Sequence, residues 1–389
     1  MGAKRRRPEG AKQVIPVNEP ALGHAELARV TEAVRAGHVS SGGPEVLEFE
    51  EHWAAYCGRR HGVAVTNGTA ALELAVACLD LDPGDEIIMP TFTIISCALA
   101  ATNRSAIPRL VDADSRTWCM DANLVGDAIG PRTRAVMLVH VYGHPVNIDP
   151  VLELAERHGL AVIEDAAQAH GAEYQSNRNG ATAWRRCGSF GAMSCFSFYA
   201  NKLVTTGEGG MLVTDDAALA QRARLLRNLA FEGDRRFRHE HLGFNFRMSN
   251  LQAALGIAQV ARMDEIVAKK RTIATAYTQG LRDVAGITLP VEEPWARSVY
   301  WMYGLVVGSE TGLDAEALAK RLSDLGVETR PFFLGLHEQP VFRRRGWFIN
   351  EKFPVAERLA RQGLYLPSGL GLRTGQIEQV IDAVRRCLT

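Results

Sequence analysis

The chain has 389 residues, 47% hydrophobic and 23% charged, which at ~150 residues per domain suits two or three units around a large core. Lys plus Arg and Asp plus Glu number 44 each, so no net field recruits nucleic acid or an anionic membrane, though a local anion site stays open. Seven scattered cysteines (57, 78, 97, 119, 187, 195 and 387) lack metal-type spacing and read as reduced thiols of a cytoplasmic protein.

In chain order, residues 1–12 form a basic tail expected to be disordered, and no apolar core follows Lys4–Arg7 to suggest a signal peptide. Apolar residues at helical spacing predict helices over Glu26–Arg35 and Val46–Cys57. Next come a strand at Gly62–Val65, a helix at Ala70–Leu79 and a strand at Glu86–Met89. The uncharged run Ile87–Asn103 is too short and too polar to cross a bilayer, and Pro90 breaks it. A strand at Ala135–Val139, a helix at Pro150–His158 and a strand at Leu160–Glu164 continue the alternation. That order predicts an α/β fold with a mostly parallel sheet, right-handed crossovers, and ligands beyond the carboxyl ends of the strands. A long helical pattern over Leu251–Leu281 leads to a strand at Trp301–Val307, a helix at Ala315–Leu325, a strand ending at Arg330 and a closing helix at Thr374–Cys387. A large domain over 13–265 and a smaller C-terminal α/β domain over 266–389 are expected, with the boundary between 255 and 285.

Three segments end predicted strands and so point at one crevice. In Val65-Thr66-Asn67-Gly68-Thr69, a Gly-Thr pair at a strand-to-helix turn offers backbone N–H groups to a phosphate, although it also reads as a plain N-cap. In Ile163-Glu164-Asp165-Ala166-Ala167-Gln168, two acids close an apolar strand; an aspartate there suits a buried cationic nitrogen, or the pair merely caps a helix. The third runs from Phe196-Ser197-Phe198 through Asn201-Lys202 to Gly207-Glu208-Gly209-Gly210 before Met211–Val213. A lysine half-buried there becomes a nucleophile towards carbonyls, whereas a lone loop lysine is usually just solvated. Together, a phosphate cradle, an acid for a ring nitrogen and a Schiff-base lysine are what pyridoxal 5'-phosphate requires of a protein.

The same residues carry a resemblance. Asn67-Gly68-Thr69-Ala70-Ala71-Leu72, Pro83-Gly84-Asp85-Glu86, Glu164 to Gln168, Asn201-Lys202, Gly207 to Gly210 and Leu242-Gly243-Phe244-Asn245-Phe246-Arg247-Met248 are similar, in order, to the DegT–StrS family of pyridoxal-phosphate-dependent sugar aminotransferases. The likeness covers about residues 13–389. It implies an aspartate-aminotransferase-like fold and a homodimer with shared active sites. It implies Lys202 as the catalytic imine-forming lysine, Asp165 at the pyridine nitrogen and Gln168 at the ring. Ser197, Gly68 and Thr69 would hold the phosphate, joined by Asn245 of the partner subunit. Where the family often stacks an aromatic ring on the cofactor this chain has Ile94, so either Ile94 or the nearby Phe92 covers the ring. The segment Gln175–Cys187 looks longer than usual, as a surface loop or part of the substrate entrance. Val299-Tyr300-Trp301-Met302-Tyr303, Thr329-Arg330-Pro331-Phe332-Phe333 and His337 resemble the perosamine-synthase branch. That branch implies glutamate as donor and GDP-4-keto-6-deoxymannose as acceptor. Arg330 and His337 would then meet the nucleotide sugar, or Arg330 simply ends a strand in a surface ion pair; residues 300–303 read as core. A 3-keto nucleotide sugar, an aminocyclitol precursor, or a non-catalytic regulator on the same fold are the rival readings.

Overall fold

The structure, a computed structural model, describes residues 14–232 and 237–388, so the tail 1–12 lies outside the described residues. Seven strands build the main sheet: β1 His61–Val65, β2 Glu86–Pro90, β3 Ile107–Val111, β4 Thr133–Val139, β5 Ala161–Asp165, β6 Met193–Ser197 and β7 Gly210–Thr214. Their order is β1-β7-β6-β5-β4-β2-β3. Only β7 runs against its neighbours, β1 and β6; the other pairings are parallel. The runs of Val, Leu, Met and Ala in β4 and β7 are buried on both faces, as central strands under two helical layers must be.

β3 escaped the sequence reading because Pro108 and Arg109 interrupt its apolar run. It is an edge strand, where a missing N–H and an exposed charge are tolerated. The segment 175–187 is neither an open loop nor part of the cavity described below: Glu173–Ser176 pairs with Ala183–Arg186 as a hairpin and with Ala296–Arg297 on its other edge.

The helical pattern expected to run unbroken over 251–281 is two helices, Asn250–Val260 and Met263–Leu281. Arg262 leaves helical geometry between them (φ −109°, ψ 11°) and pairs with Glu26 at 3.1 Å and Glu265 at 3.0 Å. The second helix packs with Ala315–Asp324 and Thr374–Leu388 on a four-stranded sheet ordered Ile287–Thr288, Tyr303–Val307, Gly363–Leu366 and Arg330–Pro331. Ile273, Tyr277, Leu318, Leu322, Val380 and Val384 fill that junction, all at most 1% exposed. The strand expected from Trp301 begins at Tyr303, leaving Trp301 and Met302 in the loop before it. All seven cysteines are buried and unpaired. Among the described residues, no helix is long and apolar enough to cross a membrane.

Candidate active site

Beyond the carboxyl ends of β1, β5 and β6 opens a cavity of about 590 Å³, lined among others by Gly68, Thr69, Asp165, Ser197 and Lys202. The three segments singled out in the sequence therefore converge.

Asn67 caps the helix Gly68–Cys78 by accepting the Ala70 N–H at 2.8 Å. The N–H groups of Gly68 and Thr69 stand ahead of the first intrahelical bond, at the positive end of the helix. Gly68 is required by packing: a Cβ there would stand 2.6 Å from Ser197 Cβ. The two chain segments thus meet too closely for any side chain, and the Ser197 hydroxyl is left beside the helix end. Both the N-cap and the open N–H groups are present, so neither reading excludes the other.

Neighbouring residues of a strand point to opposite faces, and β5 shows what this does to adjacent acids. Glu164 faces away from the cavity and accepts from His140 Nε2 (2.8 Å), the Gly188 N–H (2.6 Å), the Phe190 N–H (3.0 Å) and Ser194 Oγ (2.8 Å). Burial alone raises its pKa, but the His140 contact and the Gly188 N–H outweigh burial and leave it below the usual value. It is a structural knot and caps no helix. Asp165 faces the cavity. Its Oδ1 accepts the Ala167 N–H at 3.0 Å and its Oδ2 the Cys97 thiol at 3.3 Å. Burial raises the Asp165 pKa despite those donors; a cationic nitrogen placed opposite would reverse that shift.

Lys202 is half-buried at the cavity wall, and loss of solvation lowers its pKa to about 7 although the Asp165 charge opposes the change. A large share of this amine is therefore neutral and nucleophilic near neutral pH. Its Nζ lies 3.7 Å from the centre of the Trp301 indole. Trp301 is 5% exposed, yet it also lines the cavity, so the reading of 300–303 as core holds for its burial and misses its contact. A one-residue look along an aromatic run carries no signal for that contact; only tertiary packing brings residues 202 and 301 together. Sequence reasoning likewise passed over Cys97, which sits on Asp165.

The other expected site residues divide. Gln168 lines the cavity and accepts the Tyr142 N–H at 2.8 Å. Ile94 also lines it, 44% exposed, whereas Phe92 is fully buried against Tyr142, Phe332 and Phe333. Of the two candidates for covering a ring, Ile94 is thus the one in the cavity. Asn245 is exposed and does not line its own chain's cavity; its neighbour Phe246 does. Arg330 pairs with Glu328 at 2.6 Å and lies opposite the cavity-lining Tyr365 in register. His337 is not presented to a ligand within this chain: it is 1% exposed, its Nδ1 lies 2.8 Å from Thr91 Oγ1, and Phe353 covers its ring. The turn at Leu336–Glu338 folds that imidazole inward onto the end of β2.

Comparison with known proteins agrees with this geometry. The model of the DegT/DnrJ/EryC1/StrS aminotransferase family matches residues 20–385. A GDP-perosamine synthase of Caulobacter vibrioides is 40% identical over 375 residues, 96% of this chain and 98% of that one. A dTDP-3-amino-3,4,6-trideoxy-alpha-D-glucose transaminase of Streptomyces venezuelae is 38% identical over 377 residues, 95% of each. The crystal structure of S. venezuelae DesV in complex with a ketimine intermediate superposes with a TM-score of 0.85 at 37% identity, covering 93% of both chains. The chain belongs to the DegT/DnrJ/EryC1/StrS aminotransferase family and is a pyridoxal-phosphate-dependent aminotransferase.

Proposed function

We propose that this aminotransferase is a cytoplasmic homodimer that moves an amino group from glutamate to the 4-keto carbon of GDP-4-keto-6-deoxymannose, giving GDP-perosamine. The observation that carries the reading is the half-buried Lys202 amine, facing the same cavity as the buried Asp165 carboxylate and the open helix end at Gly68. That donor set fits pyridoxal phosphate at three points. The gap too narrow for a Cβ between Gly68 and Ser197 leaves backbone N–H groups and a hydroxyl for the phosphate. Asp165 is the anion for the pyridine nitrogen, and the neutral Lys202 amine is the group for the aldehyde. When bound, the cofactor supplies an electron sink for the carbon next to the transferred nitrogen.

The protein does the rest. Asp165, held by the Ala167 N–H and the Cys97 thiol, would keep a ring nitrogen placed opposite it protonated through charge pairing. Lys202 Nζ takes the proton from one carbon and returns it to the other as general base and acid. Gln168 and Ile94, which line the cavity, would contact the ring, Phe246 and Tyr365 help wall it, and Arg330, opposite Tyr365 in register, would meet the nucleotide diphosphate. Asn245, exposed and outside its own chain's cavity, would join the phosphate of the partner subunit's site. In this reading the cavity is lined mostly by a large domain that ends near residue 265, and the smaller domain beyond it closes one side with Trp301, Phe333 and Tyr365, the last from the four-stranded sheet.

The choice of acceptor rests on the similarity to GDP-perosamine synthases and on the Trp301-containing segment. A complete Lys202, Asp165 and Ser197 set is not what a regulator needs. Incubating the protein with glutamate and a panel of keto nucleotide sugars, then identifying the product by mass and NMR, tests the assignment. A 4-amino product from the GDP-linked substrate alone is expected. Turnover only of a 3-keto or dTDP-linked sugar removes this acceptor, and loss of the cofactor's colour change on adding glutamate removes the reaction.

A further inference from the structure

The segment 298–301 is held with unusual care. Tyr300 has φ +46°, a region that a bulky residue occupies only when its surroundings over-determine it. Ser298 Oγ donates to the Gly143 carbonyl and accepts the Tyr300 N–H, both at 3.1 Å, while the Val299 N–H donates to the same carbonyl at 3.1 Å. Gly143, itself at φ +98°, admits no Cβ, which would stand 2.8 Å from the Trp301 nitrogen. The next residue is Trp301, whose Nε1 donates at 2.7 Å to the Asn201 carbonyl, one residue before Lys202. Its own carbonyl accepts Lys270 Nζ at 2.7 Å. Lys270 is 3% exposed and also donates to the Ser368 carbonyl. Among the described residues no carboxylate pairs with it, and burial lowers its pKa to about 7. Burying an amine without a counter-ion is costly unless its hydrogen bonds matter.

We propose that Trp301 is a positioning residue for Lys202, its indole fixing the amine over the cavity, and that Lys270 anchors Trp301 in turn. The argument is geometric. A lysine has four rotatable side-chain bonds, and an indole face 3.7 Å from Nζ restricts where the amine can go while attracting its charged form. The Nε1 bond to Asn201 ties that face to the same turn that carries the lysine, so ring and amine share one frame. Lys270 reaches this frame from the helix Met263–Leu281, which packs on the second sheet, and so links the position of the amine to that sheet.

The inference rests on Lys202 as the amine that captures the cofactor. The test is capture of pyridoxal phosphate by protein stripped of it, followed by absorbance, with the bonded residue found by borohydride reduction and peptide mass analysis. Trp301→Leu is expected to slow capture by roughly tenfold or more, with Trp301→Phe restoring most of the rate because a ring face returns. Inhibition of capture by inorganic phosphate stays unchanged in both, since the helix end is untouched. Lys270→Met also slows capture, and adding it to Trp301→Leu has no further effect, because both act through one ring. Capture at the wild-type rate by Trp301→Leu, no rescue by Trp301→Phe, or multiplying effects in the double variant each overturn the proposal. Should Trp301→Leu not fold, Lys270→Met decides: slowed capture supports it, an unchanged rate overturns it. Wild-type protein labelled somewhere other than Lys202 removes the site reading as well; labelling at Lys202 with unaffected variants removes only this inference.

Discussion

Replacing Gly68 by alanine is the sharpest probe of the phosphate end. The added methyl would stand 2.6 Å from Ser197 Cβ and 3.2 Å from Ser197 Cα and Oγ. Carbon atoms rest ~3.5–4.0 Å apart, so the helix start and the end of β6 must separate by about 1 Å. Overpacking of that kind costs about 1–3 kcal/mol of stability. The larger effect falls on the ligand, since moving a binding group by ~1 Å costs up to ~100-fold. Affinity for pyridoxal phosphate should therefore drop by about tenfold to 100-fold, or ~1.4–2.7 kcal/mol. Titrating the cofactor into stripped Gly68→Ala protein, followed by absorbance, measures it, and a thermal melt reports the stability cost separately. Affinity within about threefold of wild type, in a folded variant, would mean that the narrow gap between residues 68 and 197 is packing and not a cradle.

Other outcomes follow from the charges and the assembly. Capture of pyridoxal phosphate needs the neutral amine, so its rate should climb with pH through a half-maximum near 7, where burial has placed Lys202, and then level off; a rate still rising steeply at pH 9 contradicts that burial. Glu164 has a folded pKa below the ordinary 4.5, so its stabilisation is complete above that pH and is lost as pH falls through the lowered value. Glu164→Gln should cost ~3 kcal/mol or more in a denaturant melt and flatten this acid limb, with Lys202 still labelled in the folded protein; loss of labelling would merge two roles separated here. In a homodimer with shared sites, mixing inactive Lys202→Ala with inactive Asn245→Ala should recover roughly a quarter of wild-type activity, because half the dimers are mixed and each has one intact site. No recovery on mixing would place Asn245 outside the site.

The alternation of strands and helices was readable because each element has one dominant period, and the three site segments were readable because each ends a strand. Features set by tertiary packing were not. The break at Arg262 depends on Glu26, more than two hundred residues away, and leaves the local helical period intact. β3 is hidden by a proline and an arginine that only an edge position permits. Phe92 and Ile94 lie two residues apart and looked interchangeable as ring covers, yet one is core and the other lines the cavity. Trp301 looked like core from its neighbours and is core by exposure; its contact with Lys202 follows from a strained residue, a glycine and a buried lysine drawn from three separate parts of the chain.

The opposite orientations of Glu164 and Asp165 leave β5 no freedom in its reading frame. Deleting or inserting a single residue within Ala161–Asp165 would exchange the two carboxylates, putting a longer acid into the cofactor cavity and a shorter one beneath four donors it cannot all reach. Drift or engineering can vary the side chains along that strand, but it cannot alter their number.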